Sequence, residues 1–185
     1  MATTKTKKRA AKSSAKTTKT AQAVHPTRKM IMWVNHFDLL PGDSSVTTSF
    51  NAVNSGVGGG LTGLVIQSST TGENAQGGGN KVVHMGLQVP PGYSIRGVRV
   101  CYELSSKRSF ISQIRLAQVQ TPPQSATVLL DDGTDQTNPG PICVDSAPAN
   151  VDPRAGEVLL SLRVNFGNTA DKIVVRALGL HLNPL

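Results

Sequence analysis

Apolar and polar residues alternate along five stretches of the chain, which is the pattern of strands with one buried and one solvent-facing side. These stretches cover residues 82–89, 98–104, 110–116, 158–166 and 173–182. Five weaker candidates cover residues 31–37, 46–51, 61–67, 127–130 and 142–144. Turn signals rich in proline and glycine separate the runs, and no segment has helical spacing with caps. The pattern predicts about ten short antiparallel strands.

Short strands at roughly 8–15-residue spacing are typical of all-β sandwiches and barrels. We predict an all-β fold, an antiparallel β-sandwich with jelly-roll-like topology, with a barrel as the competing closure. The strand pattern begins at Met30. We therefore predict a single sandwich domain over residues 30–185, preceded by an N-terminal arm over residues 1–29. No apolar run is long enough for a membrane span.

Charge divides the chain at the same boundary. Residues 1–29 hold nine of the nineteen Lys and Arg residues and none of the eleven Asp and Glu residues. The arm therefore carries +9 and the predicted sandwich −1, within a total of +8. The arm has no large apolar residue between Ala2 and Ala23, so it cannot offset the entropy of ordering, and we predict that it is disordered. It also lacks the apolar stretch of a secretion signal, which favours an intracellular or virion location.

The basic arm suggests the first functional hypothesis. Lysines on a flexible arm neutralise phosphates without reading bases. We predict that sequence-nonspecific RNA or DNA binds the nine basic residues of the arm, namely Lys5, Lys7, Lys8, Arg9, Lys12, Lys16, Lys19, Arg28 and Lys29. This layout of basic arm and β-sandwich is similar to coat proteins of small icosahedral viruses. It implies a non-enzymatic structural protein that assembles into homo-oligomers. A protein that condenses nucleic acid would use the same charges.

A second hypothesis assigns the chain to a different class. It is a ligand-binding or adhesion module that recognises carbohydrate, protein or calcium on its loops, with the arm as a targeting address. Such a site would use the glycine-rich segment 54–80, Tyr93 and residues 131–135.

Candidate metal and catalytic residues are few. Asp131, Asp132 and Asp135 place three carboxylates within five residues, which suits a hard cation such as calcium, but an Asp-Gly turn explains them better. The four histidines are far apart, and no nucleophile-elbow motif occurs. We therefore predict no catalytic residues and no required cofactor, with calcium as the alternative at the aspartates.

Two cysteines and four mid-strand arginines remain. Cys101 and Cys143 fall in different strand candidates and are compatible with a disulfide across the two sheets, but without a secretion signal we expect free, buried thiols. The arginines are Arg99, Arg115, Arg163 and Arg176. They form either a basic strip or ordinary surface ion pairs, and the near-neutral body favours ion pairs.

Overall fold

The computed structural model describes residues 28–50, 63–120 and 125–185. Within these ranges the chain forms eleven strands: β1 (Met30–Val34), β2 (Leu40–Pro41), β3 (Val46–Phe50), β4 (Leu64–Ser68), β5 (Val82–Leu87), β6 (Tyr93–Leu104), β7 (Phe110–Gln120), β8 (Ala126–Asp132), β9 (Ile142–Asp145), β10 (Gly156–Asn165) and β11 (Ile173–Pro184). All ten predicted strands are present, and the two-residue β2 is additional. The helical segments of the described residues are two 3₁₀ turns, His36–Asp38 and Pro153–Ala155.

The strands form two antiparallel sheets. Sheet A has the order β3-β4-β11-β6-β9, and β1 also pairs with β11. Sheet B has the order β2-β5-β10-β7-β8. From β4 onwards the chain crosses repeatedly between the sheets, so most strands that are adjacent in a sheet are not consecutive in the chain; the pairs β3–β4 and β7–β8 are the exceptions among the described strands. This is a jelly-roll sandwich, and the predicted fold is confirmed.

The core lies between the inward faces of the two sheets. It consists of apolar side chains contributed by both, including Val98, Val100 and Tyr102 from β6, and Leu160, Leu162 and Val164 from β10. Each of these is fully buried. Burial of one such aliphatic side chain contributes about 1.5–3 kcal/mol, which explains why the alternating pattern decides the fold.

A β-bulge changes one predicted core position. The sequence places Phe110 on the buried face of β7 with Ile114. The register between β7 and β10 shifts between Arg163 and Val164, so Val164 pairs with Ile111. Ile111 is therefore fully buried, and Phe110 is only half-buried.

The cysteines depart from the prediction of free thiols. Cys101 on β6 and Cys143 on β9 are direct partners in sheet A and form a disulfide. The prediction of free thiols is wrong because cross-strand register, which the sequence does not reveal, places the two residues opposite each other. The bond also lies within one sheet, and does not cross between sheets.

A lysine is enclosed where the segment after β4 folds back. Lys81 is fully buried, and its Nζ donates to the carbonyls of Thr70, Thr71 and Gly72 at 2.7, 2.9 and 2.9 Å. Burial lowers the pKa of Lys81. The ammonium group thus ties the end of sheet A to the start of β5. Among the described residues, no helix has the length and apolar character needed to cross a membrane.

Candidate functional site

Four residues form a row across the outward side of sheet A. Trp33 on β1 is opposite Gly179 on β11, Gly179 is opposite Arg99 on β6, and Arg99 is opposite Asp145 on β9. Neighbouring strands lie about 4.8 Å apart, so the row spans roughly 14 Å. The register brings together residues more than a hundred positions apart in the chain.

Trp33 is an exposed aromatic residue at one end of this row. It is 56% exposed, although indole is usually buried. Gly179 provides space beneath it: a Cβ atom added at Gly179 would lie 3.2 Å from two atoms of the six-membered ring, Cε3 and Cζ3. The indole therefore lies over the glycine, and a large part of its surface faces solvent.

Arg99 and Asp145 of this row form a polar group with His181, which lies two residues beyond Gly179 on β11. Arg99 Nε and Nη2 donate to the two carboxylate oxygens of Asp145, each at 2.7 Å. His181 Nε2 lies 2.8 Å from Asp145 Oδ1. All three side chains are between 30 and 45% exposed. We call Trp33, Arg99, Asp145 and His181 the Trp33 face.

The electrostatics of the Trp33 face are balanced. The hydrogen bond from Arg99 is the main reason that the pKa of Asp145 falls to about 2, with a further contribution from His181. The same hydrogen bond raises the pKa of Arg99. One fixed positive and one fixed negative charge therefore sit side by side, and the face suits a neutral ligand that offers both hydroxyl groups and an apolar surface.

The mid-strand arginines form ion pairs and no strip. Arg99 and Arg176 lie on sheet A, whereas Arg115 and Arg163 lie on sheet B. Their carboxylate partners are Asp145, Glu103, Asp131 and Glu73, respectively. The pair between Arg176 and Glu103 is almost completely buried. The predicted ion pairs are present at all four arginines, but the pair of Arg176 lies in the interior and not, as was expected, at the surface.

The predicted calcium ligands are held by other partners. Asp131 accepts hydrogen bonds from Arg115 and Gln113. The two carboxylate oxygens of Asp132 accept from the backbone N–H groups of Thr134 and Ala147, at 3.1 and 2.7 Å. Asp135 is exposed. This arrangement does not fit calcium as it stands, and no group of three metal-binding side chains occurs in the part of the chain that the structure describes.

Other predicted site residues contribute little to the described geometry. Seven of the nine basic arm residues, from Lys5 to Lys19, lie outside the described residues. The predicted disorder of the arm also concerns residues 1–27, which are outside the described ranges. Arg28 and Lys29 are exposed. Tyr93 begins β6, is half-buried and pairs with Pro184. Residues 54–62 of the glycine-rich segment are also outside the described ranges.

Sequence reasoning missed Trp33, Asp145 and His181 as a site. The available signal was an exposed-face tryptophan in a chain with a single tryptophan, together with glycine at an outward strand position, Gly179. That signal becomes meaningful only once the register of β1, β11, β6 and β9 is known.

Comparison with solved structures supports the fold. The CBM22-1 and GH10 modules of Clostridium thermocellum xylanase 10B, complexed with xylohexaose, match with a TM-score of 0.54 and 11% identity over 86% of this chain and 29% of that one. A structure described as showing promiscuous specificity of carbohydrate-binding modules of the β-sandwich superfamily matches with a TM-score of 0.49 and 16% identity, over 79% and 57%. The module CBM36 in complex with calcium and xylotriose gives 0.38 and 9%, over 83% and 99%.

The chain thus spans less than a third of the xylanase chain and just over half of the second structure. No family model and no curated protein matches the sequence. At these identities the likeness establishes a shared β-sandwich fold.

The comparisons contradict the first functional hypothesis. The structure that matches with a TM-score of 0.54 contains a carbohydrate-binding module and is complexed with xylohexaose, and the prediction of a coat-protein-like, self-associating protein with a nucleic-acid partner is wrong. The mid-strand arginines do not provide a second site for phosphates, because each of them is paired with a carboxylate.

Proposed function

We propose that this protein is a non-catalytic carbohydrate-binding module and that its site is the Trp33 face. The observation that supports this most directly is the exposed indole of Trp33, which lies over Gly179 in the same row as the Arg99–Asp145 pair. This location is the outer face of a sheet and not the loops that the sequence suggested.

An exposed indole and a sugar ring are complementary in shape and polarity. One side of a pyranose ring presents C–H groups, and a flat aromatic surface packs against them while its negative face attracts their positive edge. Trp33 needs little rearrangement for this contact, because the glycine beneath it leaves the ring against the backbone of β11. The stacking supplies the apolar part of the binding free energy.

The polar residues of the Trp33 face match sugar hydroxyls. Each hydroxyl both donates and accepts, and the face offers a carboxylate acceptor, a guanidinium donor and an imidazole. Two nitrogens of Arg99 are engaged by Asp145, which leaves Nη1 for a ligand. The bidentate pair also fixes both side chains before binding, and this lowers the entropy lost on association. Because the two charges cancel, we expect neutral glycans.

The proposed role is binding and not hydrolysis. Glycoside cleavage ordinarily uses two carboxyl groups that flank the bond, and one of them must hold a proton near neutral pH. Asp145 is the single carboxylate of the Trp33 face, and its pKa of about 2 keeps it ionised. A group of this kind accepts hydrogen bonds well and donates protons poorly.

Calorimetric titration with neutral oligosaccharides tests the proposal. Trp33→Ala should weaken binding at least ten-fold, because it removes the stacking surface. Phe50→Ala is the matched control, since Phe50 is an aromatic residue of sheet A with the same 56% exposure but lies on the edge strand β3. It should leave the affinity within about two-fold. Equal affinity of the Trp33→Ala variant and the unaltered protein, or no binding of any neutral glycan, would overturn the proposal.

The same titration tests whether calcium contributes to glycan binding. The aspartates predicted as its ligands, Asp131, Asp132 and Asp135, lie outside the Trp33 face. We therefore expect added calcium or a chelator to leave glycan affinity unchanged. A marked loss of affinity with chelator would reinstate a calcium site.

A further inference from the structure

A pocket of about 230 Å³ opens beside Trp33, between β1 of sheet A and β5 of sheet B. Its lining includes Met32, Trp33, Val34, Asn35, Asp38 and Met85. Trp33 thus belongs both to the lining of the pocket and to the Trp33 face. The two are adjacent on the surface, so one ligand can contact both.

The pocket has an apolar interior and a polar rim. Met85 is buried, and Met32 and Val34 are half-buried, so their side chains form a floor that water solvates poorly. On the rim, Asn35 Nδ2 donates to Asp38 Oδ1 at 2.8 Å, and Asn35 Oδ1 accepts from the backbone N–H of Phe37. Among the described residues, no hydrogen bond reaches the other carboxylate oxygen of Asp38, so it remains able to accept one.

We infer that this pocket holds the acetamido group of an N-acetylated hexosamine whose ring stacks on Trp33. This inference rests on the proposed function and names its ligand class. The methyl group contacts the methionines of the floor, and the amide N–H donates to the free carboxylate oxygen of Asp38. A hydroxyl group at the same ring position carries no methyl group to fill the apolar floor.

Two trisaccharides that differ only at this position give the test. Cellotriose carries a hydroxyl at carbon 2 of each ring, and N,N′,N″-triacetylchitotriose carries an acetamido group there. We expect the acetylated sugar to bind about ten-fold more tightly, which is the effect of one buried methyl group and one net hydrogen bond. Titration with N-acetylglucosamine and N-acetylgalactosamine then shows which hexosamine supplies the group.

Asp38→Ala should reduce the preference to less than about three-fold, because it removes the side-chain oxygen that accepts the amide hydrogen. Asp135→Ala, the same change at an exposed position after β8, should leave both affinities unchanged. Thermal melting of both variants checks that they fold.

The outcomes separate this inference from the proposed function. Equal binding of the two trisaccharides, or a preference that survives Asp38→Ala, would overturn the acetamido pocket and leave the Trp33 face standing. Failure of both trisaccharides and both monosaccharides to bind would overturn the acetamido pocket, and failure of every neutral glycan would overturn the proposed function as well.

Discussion

At the scale of single residues, the geometry of the Trp33 face depends on the pairing of Arg99 with Asp145. Two hydrogen bonds join the guanidinium to both carboxylate oxygens, and His181 on β11 contacts the same carboxylate across β6. Charge-assisted bidentate pairs have well-defined geometry. Because these side chains are partly exposed, solvent screens their attraction, so their main effect is to orient groups and not to stabilise the fold.

We predict that Asp145 titrates far below an ordinary aspartate. Its pKa is about 2 in the folded protein, against 3.8 for the unperturbed group, mainly because of the hydrogen bond from Arg99. Since the folded value is the lower one, its contribution to stability is present above pH 4 and is lost as the pH falls towards 2. A carboxyl carbon NMR titration measures this directly. Arg99→Lys should raise the value, and an unperturbed Asp145 would contradict the observed pairing.

Lys81 has a structural role that mutagenesis can test. Replacing it with Met removes the buried donor that binds three backbone carbonyls, those of Thr70, Thr71 and Gly72. We expect Lys81→Met to lower the free energy of unfolding by about 3 kcal/mol, as measured by urea denaturation. Lys107→Met, at an exposed lysine, is the control and should have little effect. A loss below about 0.5 kcal/mol for Lys81→Met would mean that water replaces the ammonium group.

At the scale of strands, local pattern and cross-strand register contribute different information. Alternation within β5 or β10 reveals which residues are buried, because each strand has one face in the core. The neighbours of Trp33 depend on pairing between β1, β11, β6 and β9, and nothing within a single strand specifies that pairing. For this reason the sequence predicts the strands and misses both the Trp33 face and the cross-strand disulfide. The bulge in β7 between Ile111 and Gln113 was missed for the same reason.

Gly179 links the packing of two strands to the site. A side chain there would compete with the indole, since an added Cβ already lies 2.9 Å from Ile31 Cγ2 and 3.2 Å from the ring of Trp33. Gly179→Val should therefore displace Trp33 and weaken glycan binding at least ten-fold while the sandwich still folds. The matched control is Gly133→Val, because an added Cβ at Gly133 meets nothing within 4 Å. Calorimetry measures both variants, and full affinity in Gly179→Val would show that the indole does not need its position over the glycine.

At the scale of the whole molecule, the two outer faces of the sandwich differ. The Trp33 face lies on sheet A and combines an exposed indole with balanced charges. On sheet B, the arginines of β7 and β10 pair with Asp131 and Glu73. Binding is therefore expected on one side of the molecule. The division into an arm over residues 1–29 and a sandwich over residues 30–185 stays a prediction.

Truncation tests that division. The described core and all residues of the Trp33 face lie after residue 29, so removal of residues 1–27 should leave the melting temperature and glycan affinity unchanged. Removal of residues 1–34 also deletes β1 and Trp33, and should abolish glycan binding and lower the melting temperature. Loss of folding in the shorter deletion would show that residues 1–27 contribute to the sandwich.

Fluorescence of Trp33 tests the central claim most directly. The chain contains one tryptophan, so its emission reports on the Trp33 face alone. We predict that adding a glycan that binds, measured independently by calorimetry, changes the intensity and wavelength of emission in a saturable manner and with the same dissociation constant. Glycan binding without any change in tryptophan emission would contradict the account, because the sugar would then lie elsewhere on the protein.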